Sequence, residues 1–338
     1  MQNEPKSPQL HAADPLGVAR ADTRAATIAL LVGTVFWGFG FTWAKVGGAT
    51  INKLLGLPDG AGAGAGPVLL LAMRFISAGL LWTAIFPQAR RGWTGASVLR
   101  ATIIGVLVGI GLIVQHIGLD QTSQAVSAFL TSLTVVFVPL MQTVALRRTP
   151  RANVWLAVIV ATAGVWVMNS PGGENGFNLG WGEVLGLLCA FVFSVYIIVL
   201  NVLVPKDDPY RITGGQFIVA GAIALGSLPL FRSGSRAFQP SEFAELFSPR
   251  DVWLNCALLV ALPTLISYGL LTIYQPKLDA TRAALIYLME PIFASVYAWV
   301  IAGSAMRPRE LLGAGMIFAA NLIAELFDVL VKRRGGNK

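Results

Sequence analysis

The sequence predicts an all-α integral membrane protein in which ten transmembrane helices form two inverted five-helix repeats. Three observations carry that prediction. Apolar residues fill 55% of the 338 positions and charged residues only 12%, with a strongly positive mean hydropathy, which lies outside the range of soluble domains. Apolar stretches near the length that crosses a bilayer as a helix, about 20 residues, recur along the chain. Finally, "LDQTSQA" (119–125) and "LDATRAA" (278–284) share Leu, Asp, Thr and the final Ala at an offset of 159 residues.

Residues 1–24 are polar and contain proline, and the apolar span after them has no small-residue cleavage site; they read as a disordered cytoplasmic tail rather than a signal peptide. The first helix is expected near 25–46 and the second near 67–86. Between them "GGATINKLLGLPDGAGAGAGP" (47–67) ends in a Gly/Ala tract and reads as a flexible loop. Helices near 101–118, 122–146 and 152–169 complete a first repeat over 25–170. The second repeat, 171–331, has helices near 180–204, 211–231, 251–273, 280–303 and 309–331, and a basic tail follows at 332–338. Within 231–251, "SEFAELF" has the spacing of a short interfacial helix.

The net charge of +8 comes from basic clusters lying between the spans, such as "QARRGW", "LRRTPR" and "VKRRGGNK". With both termini in the cytoplasm, 17 of the 25 Lys and Arg fall on the cytoplasmic side, which sets the orientation of a multi-pass inner (plasma) membrane protein. No aromatic and basic interleaving marks a nucleic-acid surface. Cys189 and Cys256 stand alone in apolar spans, so neither a disulfide nor a metal site is expected.

Each repeated stretch opens a long helix, and each helix is followed by a basic, Pro-containing turn ("RRTPR", "MRPRE") and a further helix of small residues. Five helices is an odd number, so the second half enters the membrane from the opposite side. Inverted repeats of this kind belong to carriers, with the solute site near the midplane. The segments "FWGFGFTWAK", "MRFISAGLL", "TSQAVSAFLTSLTVVFVPL" and above all "ATRAALIYLMEPIFASVYAWV" followed by "RPRELLGAGMI" resemble the EamA-type members of the drug/metabolite transporter superfamily. That resemblance implies ten helices in two EamA repeats, and it covers nearly the whole chain after residue 25. The chain departs from the family where a Gly-Glu-Arg turn is usual, reading "LRRTP" and "GSAMRPRE", and in the longer connection between helices 1 and 2.

Ionisable groups inside apolar spans are expensive and point to function. Trp37, Phe41 and Lys45 share one helix face, with Gly33 and Gly40 beside them. They read either as a cavity wall with a cation for an anionic group, or as an interface anchor whose lysine snorkels. Arg74, eight residues into its span, reads as a structural cation holding carbonyls or a carboxylate, or as a substrate contact. Glu290 precedes Pro291, which leaves the Tyr287 carbonyl without its helical donor. It is a candidate for proton coupling, for bonding a substrate amine, or for packing against a neighbouring Tyr or Arg. Ser127 and Thr131 lie on a polar stripe of helix 4, Gln115 and His116 close helix 3, and Tyr196, Tyr268, Tyr274 and Tyr287 offer polar aromatic linings.

The function expected is secondary transport, with export favoured, of a small metabolite such as an amino acid or related zwitterion. Ion or proton coupling is compatible with it, and no cofactor is implied. The rival class is a membrane-embedded enzyme or flippase acting on a lipid-linked substrate. The sequence holds no Walker lysine, HExxH or GxSxG to serve an enzyme, and it leaves substrate identity and oligomeric state open.

Overall fold

The computed structural model describes residues 15–57, 65–122, 124–145, 147, 149–150, 152–169, 180–231, 233–239, 245–246, 249–302 and 308–335. Every regular element among them is helical. In chain order they are α1 (Pro15–Leu54), α2 (Gly66–Ile85), α3 (Gly95–Gln121), α4 (Gln124–Ser132), α5 (Thr134–Ala145), α6 (Ala152–Asn169), α7 (Trp181–Leu203) and α8 (Pro209–Ser227). These are followed by α9 (Arg250–Leu259), a π-helical segment (Val260–Ile266), α10 (Ser267–Tyr274), α11 (Ala280–Tyr287), α12 (Glu290–Ala302) and α13 (Pro308–Gly335).

Six helical stretches among the described residues are long and apolar enough to cross a bilayer: Asp22–Leu54, Gly66–Ile85, Gly95–Gln121, Trp181–Lys206, Pro209–Leu230 and Arg250–Lys277. Shorter apolar helices cover Leu130–Val144, Ala152–Val167 and Leu311–Ile323. Large apolar side chains such as Leu80, Ile85, Trp181 and Leu230 point outward. With backbone groups bonded inside each helix, such a surface suits hydrocarbon, and the protein is a multi-pass membrane protein.

The first helix and the loop after it need correction. α1 begins at Pro15, within the stretch expected to be disordered, and runs on to Leu54, so that about half of the expected 47–67 loop is helix or helix cap. A Schellman motif ends it: Gly56 takes φ 71°, and the Gly56 and Leu57 N–H groups donate back to the Lys53 and Asn52 carbonyls. The Asn52 side chain then accepts the Gly66 N–H at 2.9 Å, pinning the start of α2 to the end of α1. Residues 58–64, which include most of the Gly/Ala tract, lie outside the described residues. So does most of the expected interfacial helix at "SEFAELF".

Three expected single spans are interrupted in the middle, each for a local reason. In 122–146 the chain tightens at Leu133, whose N–H reaches the Leu130 carbonyl, while the Thr131 and Ser132 hydroxyls bond backward to Ser127 and Ala128. In 280–303 the N–H groups of Leu288 and Met289 take carbonyls three residues back, one turn ahead of Pro291, which cannot donate. In 251–273 Pro263 sits inside a π-turn.

Packing brings the two halves of the chain together. α2 lies along α8, α3 against α7 and α8, α6 along α13, and α1 against α9, α10 and α12. At Gly105 and Gly109 of α3, a β-carbon would meet Val219 and Ala220 of α8 at 2.6 and 3.2 Å, so "GVLVG" is a close helix crossing. The main core joins α1, α2, α3, α7, α8 and α10 around Phe75, Tyr196, Phe217 and Tyr268. A smaller core joins α5, α6, α11 and α13 around Val135, Ala161, Leu285 and Ile317.

Candidate functional site

An internal cavity of about 100 Å³ opens where the interrupted helices meet α1, α2, α3 and α7. Its wall brings together Trp37 and Phe41 of α1, Arg74 of α2, Gln115 and His116 of α3, and Thr131 of α4. Tyr196 of α7, Tyr268 of α10, Tyr287 of α11 and Glu290 of α12 complete the set singled out in the sequence that reaches this wall.

Trp37 is held at the centre. Its ring lies 5.3 Å from those of both Tyr268 and Tyr287, in edge-on and tilted contact. Its indole N–H donates to the Pro263 carbonyl at 3.0 Å. That carbonyl lacks its usual helical donor because the π-turn sends the Ser267 N–H to Leu262 and Thr264 instead, so the backbone irregularity in one helix supplies the acceptor for the aromatic of another. Gly38, beside Trp37, lets α1 reach α12: a β-carbon there would stand 2.8 Å from the Ala294 nitrogen. Gly33 and Gly40 face Ser267 and Pro263 at ordinary contact distances.

Tyr287 connects the cavity to a polar cluster below it. Its hydroxyl donates to Gln275 Oε1 at 2.7 Å. The Gln275 amide in turn reaches Asn201 Oδ1 at 2.6 Å and the Ile197 carbonyl at 2.9 Å, and Asn201 donates to the Leu278 carbonyl. Tyr196 is tied in a second chain, with its hydroxyl on Gln216 Oε1 at 3.3 Å and the Gln216 amide on Thr272. His116 bonds the Leu112 carbonyl through Nδ1 at 2.7 Å; a carbonyl only accepts, so the proton sits on Nδ1. Gln115 donates to Thr131 at 3.3 Å.

Glu290 is the first residue of α12. The break ahead of Pro291 turns a mid-helix position into a helix N-terminus, where unpaired N–H groups favour a negative charge. Its carboxylate lines the cavity and forms no hydrogen bond or ion pair with the described residues.

Four singled-out residues lie elsewhere. Lys45 donates to the Thr122 carbonyl at 3.3 Å, so the cation caps the end of α3 rather than facing the cavity, and Thr122 bonds Glu183. Ser127 is buried off the wall, and its carbonyl accepts from Thr131. Tyr274 lies beyond the cavity with Lys277 Nζ 5.0 Å from its ring centre. Pro291 is buried behind the wall and acts by breaking the helix.

Pro263 and Phe193 also line the cavity, and Thr264 and Gln275 support it, without having been singled out. "ALPTLIS" in the middle of an apolar span was the signal for the first and third: a proline and a hydroxyl residue inside a helix mark a bend with freed carbonyls.

Residues 180–325 match the EamA-like transporter family. Over 295 residues, 86% of this chain and 95% of the other, the sequence is 22% identical to an uncharacterized transporter of Archaeoglobus fulgidus. It is 24% identical to the uncharacterized transporter YwfM of Bacillus subtilis over 53% of this chain and 56% of that one. A solved crystal structure superposes with a TM-score of 0.64 at 19% identity, covering 88% of this chain and 96% of its own, so the fold is shared.

Proposed function

With an EamA-like transporter domain over residues 180–325 and relatives named as transporters as the premise, we propose that this chain is a secondary carrier. It works by alternating access between two inverted five-helix halves and exports a small metabolite such as an amino acid or related zwitterion across the inner membrane, with both termini cytoplasmic. Ten crossings follow if α4–α5, α9–α10 and α11–α12 each count as one interrupted span. Support for the inversion comes from reciprocal packing. Under a shift of five spans, the partners α2–α8 and α6–α13 exchange roles, and α3–α7 maps onto the contact of α1 with α9 and α10.

The observation that carries the reading is the cavity at the junction of the interrupted helices, which holds Arg74 and Glu290 on one largely apolar wall. Broken helices whose ends face a buried site are how carriers offer backbone charge to a solute. At about 100 Å³ the space is well below the roughly 300–1,000 Å³ of drug-sized pockets, which favours a small solute. Uphill movement draws on an ion gradient, and an inward proton gradient drives export by exchange at Glu290. The other titratable groups on that wall are Arg74, His116, Tyr196, Tyr268 and Tyr287.

Counterflow in proteoliposomes tests the reading. Labelled amino acids, organic anions and amines are offered separately, each with and without an imposed pH gradient. Accumulation of one class is expected, with a response to the gradient that Glu290→Gln removes. Folded protein that moves no member of the panel refutes the carrier.

A further inference from the structure

Arg74 is a buried cation with one edge anchored and the other free. It is 5% exposed, and its Nε donates to the Thr264 hydroxyl at 2.5 Å. Thr264 is itself fixed, because its hydroxyl proton goes to the Leu259 carbonyl at 2.7 Å. That carbonyl lacks its ordinary helical donor, since the residue four ahead is Pro263. The side chain of Thr264 thus does two jobs: it completes the π-turn and turns an oxygen lone pair toward Arg74. The Phe75 ring, 5.2 Å from the guanidinium carbon, limits the other side. Among the described residues no carboxylate pairs with Arg74, and no acceptor takes its terminal nitrogens. They have the cavity, which Arg74 lines.

A charge taken out of water without a counterion is costly and calls for a partner. A guanidinium pinned at Nε offers its terminal N–H groups as a planar fork, which fits the two oxygens of a carboxylate and not a single neutral acceptor. Glu290 lines the same cavity, equally without a partner, and the two do not pair with each other. A doubly charged anion such as phosphate would share the cavity with that carboxylate; a solute with one carboxylate and one ammonium satisfies both poles.

We propose, resting on the carrier reading above, that Arg74 grips the carboxylate of the carried solute directly, with Thr264 as its positioning residue and Glu290 facing the solute's ammonium. The carried class is then a small amino acid, and neither its amide nor its decarboxylated amine replaces it.

The test uses full-length protein in proteoliposomes and a panel of small neutral amino acids, each set against its carboxamide and its decarboxylated amine. Wild-type protein is expected to prefer the acid over the amide by about 10- to 100-fold in KM, the range of a lost hydrogen bond to a charged group. Arg74→Gln is expected to abolish that preference, and Arg74→Lys to keep it with a raised KM. Thr264→Val raises KM for the acid without changing the maximal rate, and Thr264→Ser restores it. Where Arg74→Gln does not fold, the wild-type preference and the Thr264 pair decide. Movement of acid and amide alike overturns the role of Arg74 and leaves a carrier standing; so does an Arg74→Gln protein that still discriminates. Movement of no member of the panel refutes the carrier and this inference together.

Discussion

Trp37 and Lys45, eight positions apart on one face of α1, show how differently two residues of one motif are used. The indole is bonded to the Pro263 carbonyl, whose usual helical donor, the Ser267 N–H, goes to Leu262 and Thr264. Trp37→Phe leaves that carbonyl unpaired, and the expected loss is about 1–3 kcal/mol, read as an earlier thermal unfolding in detergent together with weakened transport. Lys45 sits on the end of α3, so Lys45→Met is expected to leave KM unchanged and to lower stability slightly. A raised KM in that variant would return Lys45 to the cavity. Helical spacing places the two on one face, but a long flexible side chain chooses among acceptors that only neighbouring helices provide.

At the scale of the element, the informative features are interruptions. Pro291 breaks the helix ahead of Glu290, and the carbonyl it frees belongs to Tyr287, a cavity residue. Pro291→Ala is expected to heal the break into continuous α-helix, moving Glu290 off a helix N-terminus. The protein should then fold while counterflow and its response to a pH gradient are lost; full activity in that variant would remove the break from the mechanism. This interruption was legible, because proline's missing N–H acts locally. The break at Leu133 and the π-turn at Pro263 were not taken from the sequence, since both depend on where hydroxyls such as Thr131 and Thr264 send their protons. In the fold both bond backward along their own segment, Thr131 to Ser127 and Thr264 to Leu259, one of several choices open to a hydroxyl in a helix.

Across the whole molecule, the first and second halves are also tied at one end by Asp207. Its side chain is 2% exposed and pairs with Arg100 of α3 and Arg211 of α8. Burial alone would raise its pKa, but hydrogen bonds from Ser97, the Asp208 N–H and the two arginines outweigh it and hold the carboxyl below its ordinary 3.8. The stabilisation from this group is therefore complete above the ordinary value and fades as pH falls below it toward the lowered one. Unfolding followed against pH should show that acid-side loss in the wild type and a flatter profile in Asp207→Asn; identical slopes would sever the group from stability.

What the sequence determined by itself is what depends on bulk composition and local covalent chemistry. The apolar excess requires a membrane-embedded helical chain, basic clusters fall between the spans, and Pro291 forces a break beside Glu290. Ten singled-out side chains reach one cavity because helical periodicity places residues on faces before any partner is known. The tertiary structure decided which face meets which. It took Lys45 and Tyr274 away from the cavity, carried helix into the expected loop through the Asn52 to Gly66 bond, and set Thr264 under Arg74 from 190 residues away. A hydrogen bond between distant segments has no signature in either one, because its energy exists only once packing has removed water from both partners.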